Sequence, residues 1–309
     1  MSSTAADARE RVVVGYDASA TSVAAVEWAA EQAQARGLPL EVRHVVEPLP
    51  AMGEGAELAA AAVDDELQDE ADRGAQEGAE IAAKAVGAGG GPVVALGLVG
   101  HPVASLVDGS ESAALLVVGA HSHGDLASRL VGSVAFATTV HSRCPVAVVR
   151  GAPPPRAGTG RPVIVGVDGS RSSLAALLEA AGIAERSGAE LVVVCCWRAA
   201  APGRWGVSWS TASPEERAAN EHRLAAEAVA SDATERVRHV RPGLATSTRV
   251  LEGAPARVLT DISSAAGLLV LGSRGRGGFA GLLLGSVTRR LVHESACPVL
   301  VVRRVAERT

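Results

Sequence analysis

The sequence predicts an α/β protein built from two doubly wound, five-stranded parallel-sheet domains in tandem, and three observations support this. The chain repeats itself at an interval of ~150 residues: VVVGYDAS (12–19) returns as VIVGVDGS (163–170), and RCPVAVVR (143–150) returns as ACPVLVVR (296–303). Within each copy, short valine-rich runs alternate with helical patterns. These runs are continuously apolar, which is typical of strands covered on both faces. Such alternation favours a doubly wound parallel sheet.

Five strands are predicted in each copy. In the first copy they lie near 12–16, 40–46, 93–99, 114–119 and 146–150, and in the second near 162–167, 190–197, 247–252, 267–271 and 298–303. The helical patterns at 22–37 and 172–188 end at Gly37 and Gly188, because glycine readily adopts the left-handed conformation that ends a helix. A further helix start is predicted at Ser213, followed by Pro214 and Glu216.

The repeat predicts two domains, residues 1–150 and 162–309. Between them, GAPPPRAGTGR (151–161) is rich in proline and glycine and has no apolar periodicity, which indicates a short linker. The 309 residues suit two domains of about 150 residues each.

Composition excludes several classes of protein. With 48% apolar and 20% charged residues the chain is not disordered, and its net charge of −5 does not favour nucleic-acid binding. No apolar run approaches the ~18 residues of a spanning helix, and residues 1–17 lack a signal-peptide core. The four cysteines form no CxxC pair. We expect a cytoplasmic protein that binds neither nucleic acid nor membrane.

Three features of each copy are expected at the carboxyl ends of the strands, where open parallel sheets bind ligands. They are the end of the first strand, the glycine-rich turn after the fourth strand, and a Gly-Ser step that opens the last helix. The first and third of these supply Gly15, Asp17, Gly132 and Ser133 in the first copy, and Gly166, Asp168, Gly285 and Ser286 in the second.

In the second copy the glycine-rich turn and the helix start together predict a phosphate-binding cradle. Glycines allow backbone N–H groups to approach a polyanion, and a helix N-terminus adds partial positive charge. Arginines and hydroxyls add further donors. The candidate residues are Gly272, Ser273, Arg274, Gly275, Arg276, Gly277, Gly278, Gly285, Ser286, Val287 and Thr288.

The spacing Gly-x2-Gly-x9-Gly-Ser is similar to the nucleotide motif of the universal stress protein family, and residues 11–304 resemble a tandem member of its ATP-binding type. The family's aspartate after the first strand matches Asp17 and Asp168, and its Gly-x-Pro matches 100–102 and 253–255. The resemblance implies sheets of order 3-2-1-4-5, ATP bound with a divalent cation such as Mg²⁺, pairing of domains along the last strand, and a regulatory role in stress or growth arrest. Because unpaired edges invite partners, we expect the last strands to pair within the chain, between chains or both, with a homodimer favoured.

The first copy departs from this motif. Ser122 replaces the second motif glycine, and His121, His123 and Asp125 stand where the second copy has Arg274, Arg276 and Gly278. The candidate residues of this turn and helix start are Gly119, Ser122, Gly124, Arg129, Gly132, Ser133 and Val134. A side chain at 122 narrows the backbone approach, and the arginine charges are lost. We therefore predict that the first site is weaker than the second or empty.

Other nucleotide-binding and metal-binding interpretations agree less well with the sequence. The only lysine, Lys84, lies in an alanine-rich helix, which excludes a Walker A loop, and no GxGxxG follows the first strand. Nothing completes a metal site around His121 and His123, so no metal ligand is predicted. No base for phosphoryl transfer recurs in both copies, so no catalytic residue is predicted and we expect an ATP-binding regulator, not an enzyme. The alternatives are a slow ATP hydrolase, with Asp168 or a histidine orienting water, and a nucleotide-independent dimeric scaffold.

Overall fold

The computed structural model of the chain describes residues 10–48, 56–120, 131–151, 153–158, 160–198, 214–277 and 283–303, with only the backbone described at 56–64 and 214–218. The chain divides into two units, Met1–Pro154 and Pro155–Thr309. Part of the predicted linker, and Ser213 at the predicted helix start, lie outside the described residues.

The first unit alternates strands and helices along its whole length. Its elements are β1 (Arg11–Tyr16), α1 (Ala20–Arg36), β2 (Leu40–Val46), α2 (Ala56–Val86), a 3₁₀ turn (Gly87–Gly89), β3 (Val93–Val99), α3 (Pro102–Gly109), β4 (Ala113–Gly119), α4 (Ser133–His141) and β5 (Val146–Val149). The strands pair in parallel in the order β3-β2-β1-β4-β5.

The second unit has the same arrangement. Its elements are β6 (Val163–Val167), α5 (Arg171–Ser187), β7 (Leu191–Trp197), α6 (Pro214–Val240), β8 (Thr246–Glu252), α7 (Pro255–Ser263), β9 (Leu268–Gly272), α8 (Ser286–Glu294) and β10 (Val299–Val302). Its parallel order is β8-β7-β6-β9-β10. Numbered within each unit, both sheets have the order 3-2-1-4-5, which confirms the predicted fold class.

Local sequence signals explain where the helices begin and end. The Ser19 side chain caps α1 by accepting a 3.2 Å hydrogen bond from the backbone N–H of Ser22, and Ser170 caps α5 in the same way from Ser173 at 3.1 Å. Both helices end at a glycine in the left-handed region, Gly37 with φ 65° and Gly188 with φ 64°. These are the two stops that the sequence predicts.

The central strands are buried on both faces. Val12, Val13 and Val14 of β1 have no exposed surface, nor do Val163 and Val165 of β6. This burial explains why the strands read as continuous apolar runs.

Within its own unit, the last strand (β5 or β10) lies at one end of the strand order. Association through these strands remains a prediction. No helix in the described part of the chain is long and apolar enough to span a membrane. The cytoplasmic location also remains a prediction.

Candidate functional site

A cavity of about 420 Å³ opens in the second unit at the carboxyl ends of β6 and β9. Because β6 pairs with β7 on one side and β9 on the other, the strand order reverses there, and such reversal points form ligand crevices. The lining residues are Gly166, Val167, Asp168, Ser173, Val194, Cys196, Pro255, Leu259, Leu271, Gly272, Arg274, Gly275, Gly277, Leu284, Gly285, Ser286, Val287 and Thr288.

The N-terminus of α8 forms one wall of this cavity. Gly285 is its N-cap residue, and no side chain caps the helix among the described residues. The N–H of Gly285 donates a 2.8 Å hydrogen bond to the Ser273 carbonyl, which holds the helix start against the end of β9. The N–H groups of the first turn therefore face the cavity without a side-chain acceptor, an arrangement that suits an anion.

Thr288 and Ser273, two of the predicted site residues, are buried and hydrogen-bonded within the fold. Thr288 Oγ1 donates to the Gly272 carbonyl at 2.9 Å, and Thr288 is only 4% exposed. Ser273 is 8% exposed and outside the cavity lining, and its N–H donates to the Val302 carbonyl. Ser286, in contrast, is exposed and lines the cavity. The Thr288 hydroxyl proton is therefore already engaged within the protein, and contact of Ser273, Ser286 and Thr288 with a ligand remains a prediction.

Asp168 ties the glycine-rich loop to the start of α5. One carboxylate oxygen accepts from the Ser170 N–H at 3.0 Å, and the other accepts from the Arg276 N–H at 2.8 Å. Burial raises the pKa of Asp168, but the hydrogen bonds from Ser170, Arg276 and Ser173 outweigh it and lower that pKa below its ordinary value. Asp168 is thus an ionised residue that positions the loop.

The motif glycines have two different roles. A Cβ at Gly272 would lie 2.5 Å from Ser172 Oγ, one at Gly166 would lie 2.9 Å from Leu271 Cδ2, and one at Gly275 would lie 2.4 Å from Asp168 Oδ2. Backbone packing against Ser172 therefore requires Gly272, whereas a side chain at Gly166 or Gly275 would displace Leu271 or Asp168. At Gly277 a Cβ would meet no atom within 4 Å. At Gly285 the nearest atoms to a Cβ would lie 3.5 Å away, which is an ordinary van der Waals distance. The backbone is open to a ligand at these last two positions.

Arginines surround the loop. Arg274 and Arg276 are exposed, Arg274 lines the cavity, and neither side chain has an ion-pair partner within the described residues. Burial and the nearby charge of Arg274 lower the pKa of Arg303, whose Nη2 donates to the Leu283 carbonyl at 3.1 Å. This excess of positive charge favours a polyanion. Sequence reasoning missed Arg303, although its position directly after β10 points to this end of the sheet.

The opposite end of the cavity is apolar. Val194 and Cys196 of β7 face it, together with Pro255 and Leu259 of α7. Burial raises the pKa of Cys196 to about 11, so its thiol is neutral at pH 7. Sequence reasoning did not select these residues because they read as ordinary strand and helix positions. The cavity therefore combines an anion-binding end with an apolar end.

The first unit has a cavity at the corresponding place, of about 200 Å³. Its lining residues are Gly15, Tyr16, Asp17, Ser22, Arg43, Val45, Pro102, Leu106, Val118, Gly119, Ala120, Gly132, Val134 and Ala135.

Asp17 repeats the cap contact of Asp168, since its Oδ1 accepts from the Ser19 N–H at 3.1 Å. Ser133 is exposed and outside the lining. The remaining predicted residues, Ser122, Gly124 and Arg129 here and Gly278 in the second unit, lie outside the described residues.

Comparison with known proteins agrees with this architecture. The profile of the Universal stress protein family matches residues 8–150 and again 160–303. A universal stress protein of Mycolicibacterium smegmatis is 34% identical over 295 residues, covering 94% of this chain and 96% of the relative. One of Mycobacterium tuberculosis is 34% identical over 299 residues, again covering 94% and 96%.

Among solved structures, a universal stress protein from Archaeoglobus fulgidus shares the fold with a TM-score of 0.69 at 19% identity, covering 96% of this chain and 99% of its own. Two family matches along one chain, together with relatives of this identity and coverage, leave one conclusion. The chain belongs to the universal stress protein family.

Proposed function

We propose that the second unit binds ATP, and that the chain is a nucleotide-dependent regulator in a stress or growth-arrest response. The observation that carries this proposal is the 420 Å³ cavity, which has an anion-binding end and an apolar end. Its size falls within the range of small-molecule sites, about 300–1,000 Å³.

The triphosphate is assigned to the end formed by α8 and the loop 272–277. The first-turn N–H groups of α8 and the backbone at Gly277 are open to it, and Arg274 and Arg276 add charge. Hydrogen bonds to charged groups contribute about 1.5–3 kcal/mol each. Several of them acting together are sufficient to orient a polyphosphate.

The base is assigned to the apolar end. Val194, Pro255 and Leu259 form walls against which a flat ring can pack, and the neutral Cys196 thiol adds a polarisable contact. The choice of adenine among the bases rests on the family resemblance.

A divalent cation fits this site through the nucleotide itself. The described residues contain no group of three or more His, Cys, Asp or Glu side chains able to hold a metal ion. Both oxygens of Asp168 already accept backbone hydrogen bonds. Mg²⁺ usually keeps several waters and binds through substrate phosphates, so phosphate oxygens and Ser286 are the ligands we propose.

The side chains around the cavity support a regulator more than an enzyme. Asp168 is the only carboxylate among its described lining residues, and its lowered pKa and two hydrogen bonds make it a weak base. The Cys196 thiol is neutral at pH 7. We therefore expect ATP to be retained rather than turned over.

Two measurements test this proposal. Mass analysis of ligand released from the purified, denatured protein is expected to yield an adenine nucleotide. Prolonged incubation with ATP and Mg²⁺ is expected to leave the ATP intact, and steady release of ADP would favour the slow hydrolase. A protein that carries no nucleotide and shows no binding in titration with ATP would refute the proposal and favour a nucleotide-independent scaffold.

A further inference from the structure

The two cavities differ most at the end away from the phosphate loops. In the first unit β2 places Arg43 beside Gly15, whereas in the second β7 places Val194 beside Gly166. Both side chains line their cavities, which measure about 200 Å³ and 420 Å³. The smaller cavity is the one with the arginine.

Arg43 is held rigidly across this end. Its Nε donates a 2.6 Å hydrogen bond to Glu41, and its Nη1 donates to the Ser105 carbonyl in α3. Glu41 is buried, with 6% of its side chain exposed, and it also pairs with Arg11 at 2.5 Å. The guanidinium group therefore bridges β2 and α3, where the second unit has apolar walls.

The helix opposite Arg43 is adapted to it. A Cβ on Gly109 of α3 would lie 2.6 Å from Arg43 Cζ. Counting from the prolines that open α3 and α7, the position equivalent to Gly109 is Ile262. The first unit thus has a large residue, Arg43, on the strand and a glycine on the helix. The second unit has a smaller residue, Val194, on the strand and a larger one, Ile262, on the helix.

We propose that Arg43 is a specificity-determining residue that closes the base end of the first cavity, so that the chain binds one ATP, in the second unit. The proposal rests on the proposed function of the second cavity. A base entering the first cavity would have to displace Arg43 from Glu41, and breaking a buried ion pair is strongly unfavourable. This barrier is independent of the glycine-loop differences at 119–132.

Calorimetric titration of the full-length protein with ATP tests the proposal through two double variants, one in each unit. Glu41→Val/Arg43→Val gives the first unit the Val192 and Val194 pair of the second. It is expected to raise the stoichiometry from one ATP toward two, with the second-unit affinity unchanged. Val194→Arg/Ile262→Gly gives the second unit the arginine and the glycine of the first. It is expected to weaken ATP binding by about a hundredfold or more, with tripolyphosphate binding kept near the parent value.

Each outcome decides a different point. A parent that binds two ATP molecules with equal affinity overturns the role of Arg43, as does a Glu41→Val/Arg43→Val variant whose first unit binds tripolyphosphate but not ATP. If the first unit of that variant binds neither, its glycine loop limits binding and the result for Val194→Arg/Ile262→Gly decides. A parent that binds no ATP overturns the proposed function itself. If thermal unfolding shows that Val194→Arg/Ile262→Gly has lost its fold, the result for Glu41→Val/Arg43→Val decides. A folded variant that loses tripolyphosphate binding as well overturns the assignment of Val194 to the base end.

Discussion

Gly285→Val is the sharpest test of the phosphate-binding end of the second cavity. The fold has room for the new side chain, but that side chain would occupy the space where the phosphates are proposed to bind. Gly285 has φ −69° and ψ 150°, an extended conformation that suits a β-branched residue. A Cβ there would lie 3.5 Å from Arg274 Cα and from the Ser273 carbonyl oxygen, an ordinary contact distance. The protein should therefore keep its fold, with a loss of about 1 kcal/mol of stability because valine is a poorer N-cap residue than glycine.

The expected loss of affinity follows from the position of the new methyl groups. They would stand at the N-terminus of α8, where phosphate oxygens must approach the backbone N–H groups. Losing two charge-assisted hydrogen bonds at about 1.5–3 kcal/mol each costs about 3–6 kcal/mol. That corresponds to a loss of affinity of about a hundredfold or more.

Calorimetric titration with ATP measures this loss, and thermal unfolding of the same samples checks the fold. Gly243→Val is the matched control, because Gly243 lies in an exposed turn after α6 and a Cβ there would meet nothing within 4 Å. Gly275 is unsuitable for this test, since a Cβ there would lie 2.4 Å from Asp168 Oδ2 and would disturb that carboxylate's hydrogen bonds. A folded Gly285→Val protein with parental affinity would refute the assignment of the phosphates to α8.

Three further predictions follow from single contacts. Ala18 has φ 60° and Gly169, in the corresponding turn, has φ 79°. Ala18→Gly should therefore stabilise the first unit and Gly169→Ala destabilise the second, each by about 1 kcal/mol in urea unfolding, and unchanged curves would contradict this. Because hydrogen bonds lower the pKa of Asp168, its contribution to stability is present above the ordinary value of about 3.9 and is lost as pH falls through the lowered one. Asp168→Asn should thus reduce the stability lost between pH 5 and pH 2 relative to the parent; equal losses would count against the hydrogen bonds to the loop. Finally, Arg274→Ala/Arg276→Ala should weaken ATP binding by about tenfold or more and flatten its salt dependence, while an unchanged salt dependence would show that backbone N–H groups supply the binding alone.

The sequence by itself determined the fold, because the relevant signals are local. The valine run at 12–14 is sufficient to predict β1, and a glycine at 37 is sufficient to end α1. The repeat of these signals in the same order predicted two like units. The position of the candidate site also followed, since the carboxyl ends of parallel strands meet at one edge of the sheet.

Only the tertiary structure decided what the individual site residues do. Asp168 accepts a hydrogen bond from Arg276, 108 positions along the chain, and this contact explains why residue 275 is a glycine. In the sequence Arg43 is one of three polar residues in β2, and its role appears only when α3 supplies Ser105 and Gly109 beside it. These roles depend on packing between segments that are distant in the chain. Local sequence patterns do not predict such contacts, because the same residue in the same sequence context can face solvent, a neighbouring side chain or a ligand.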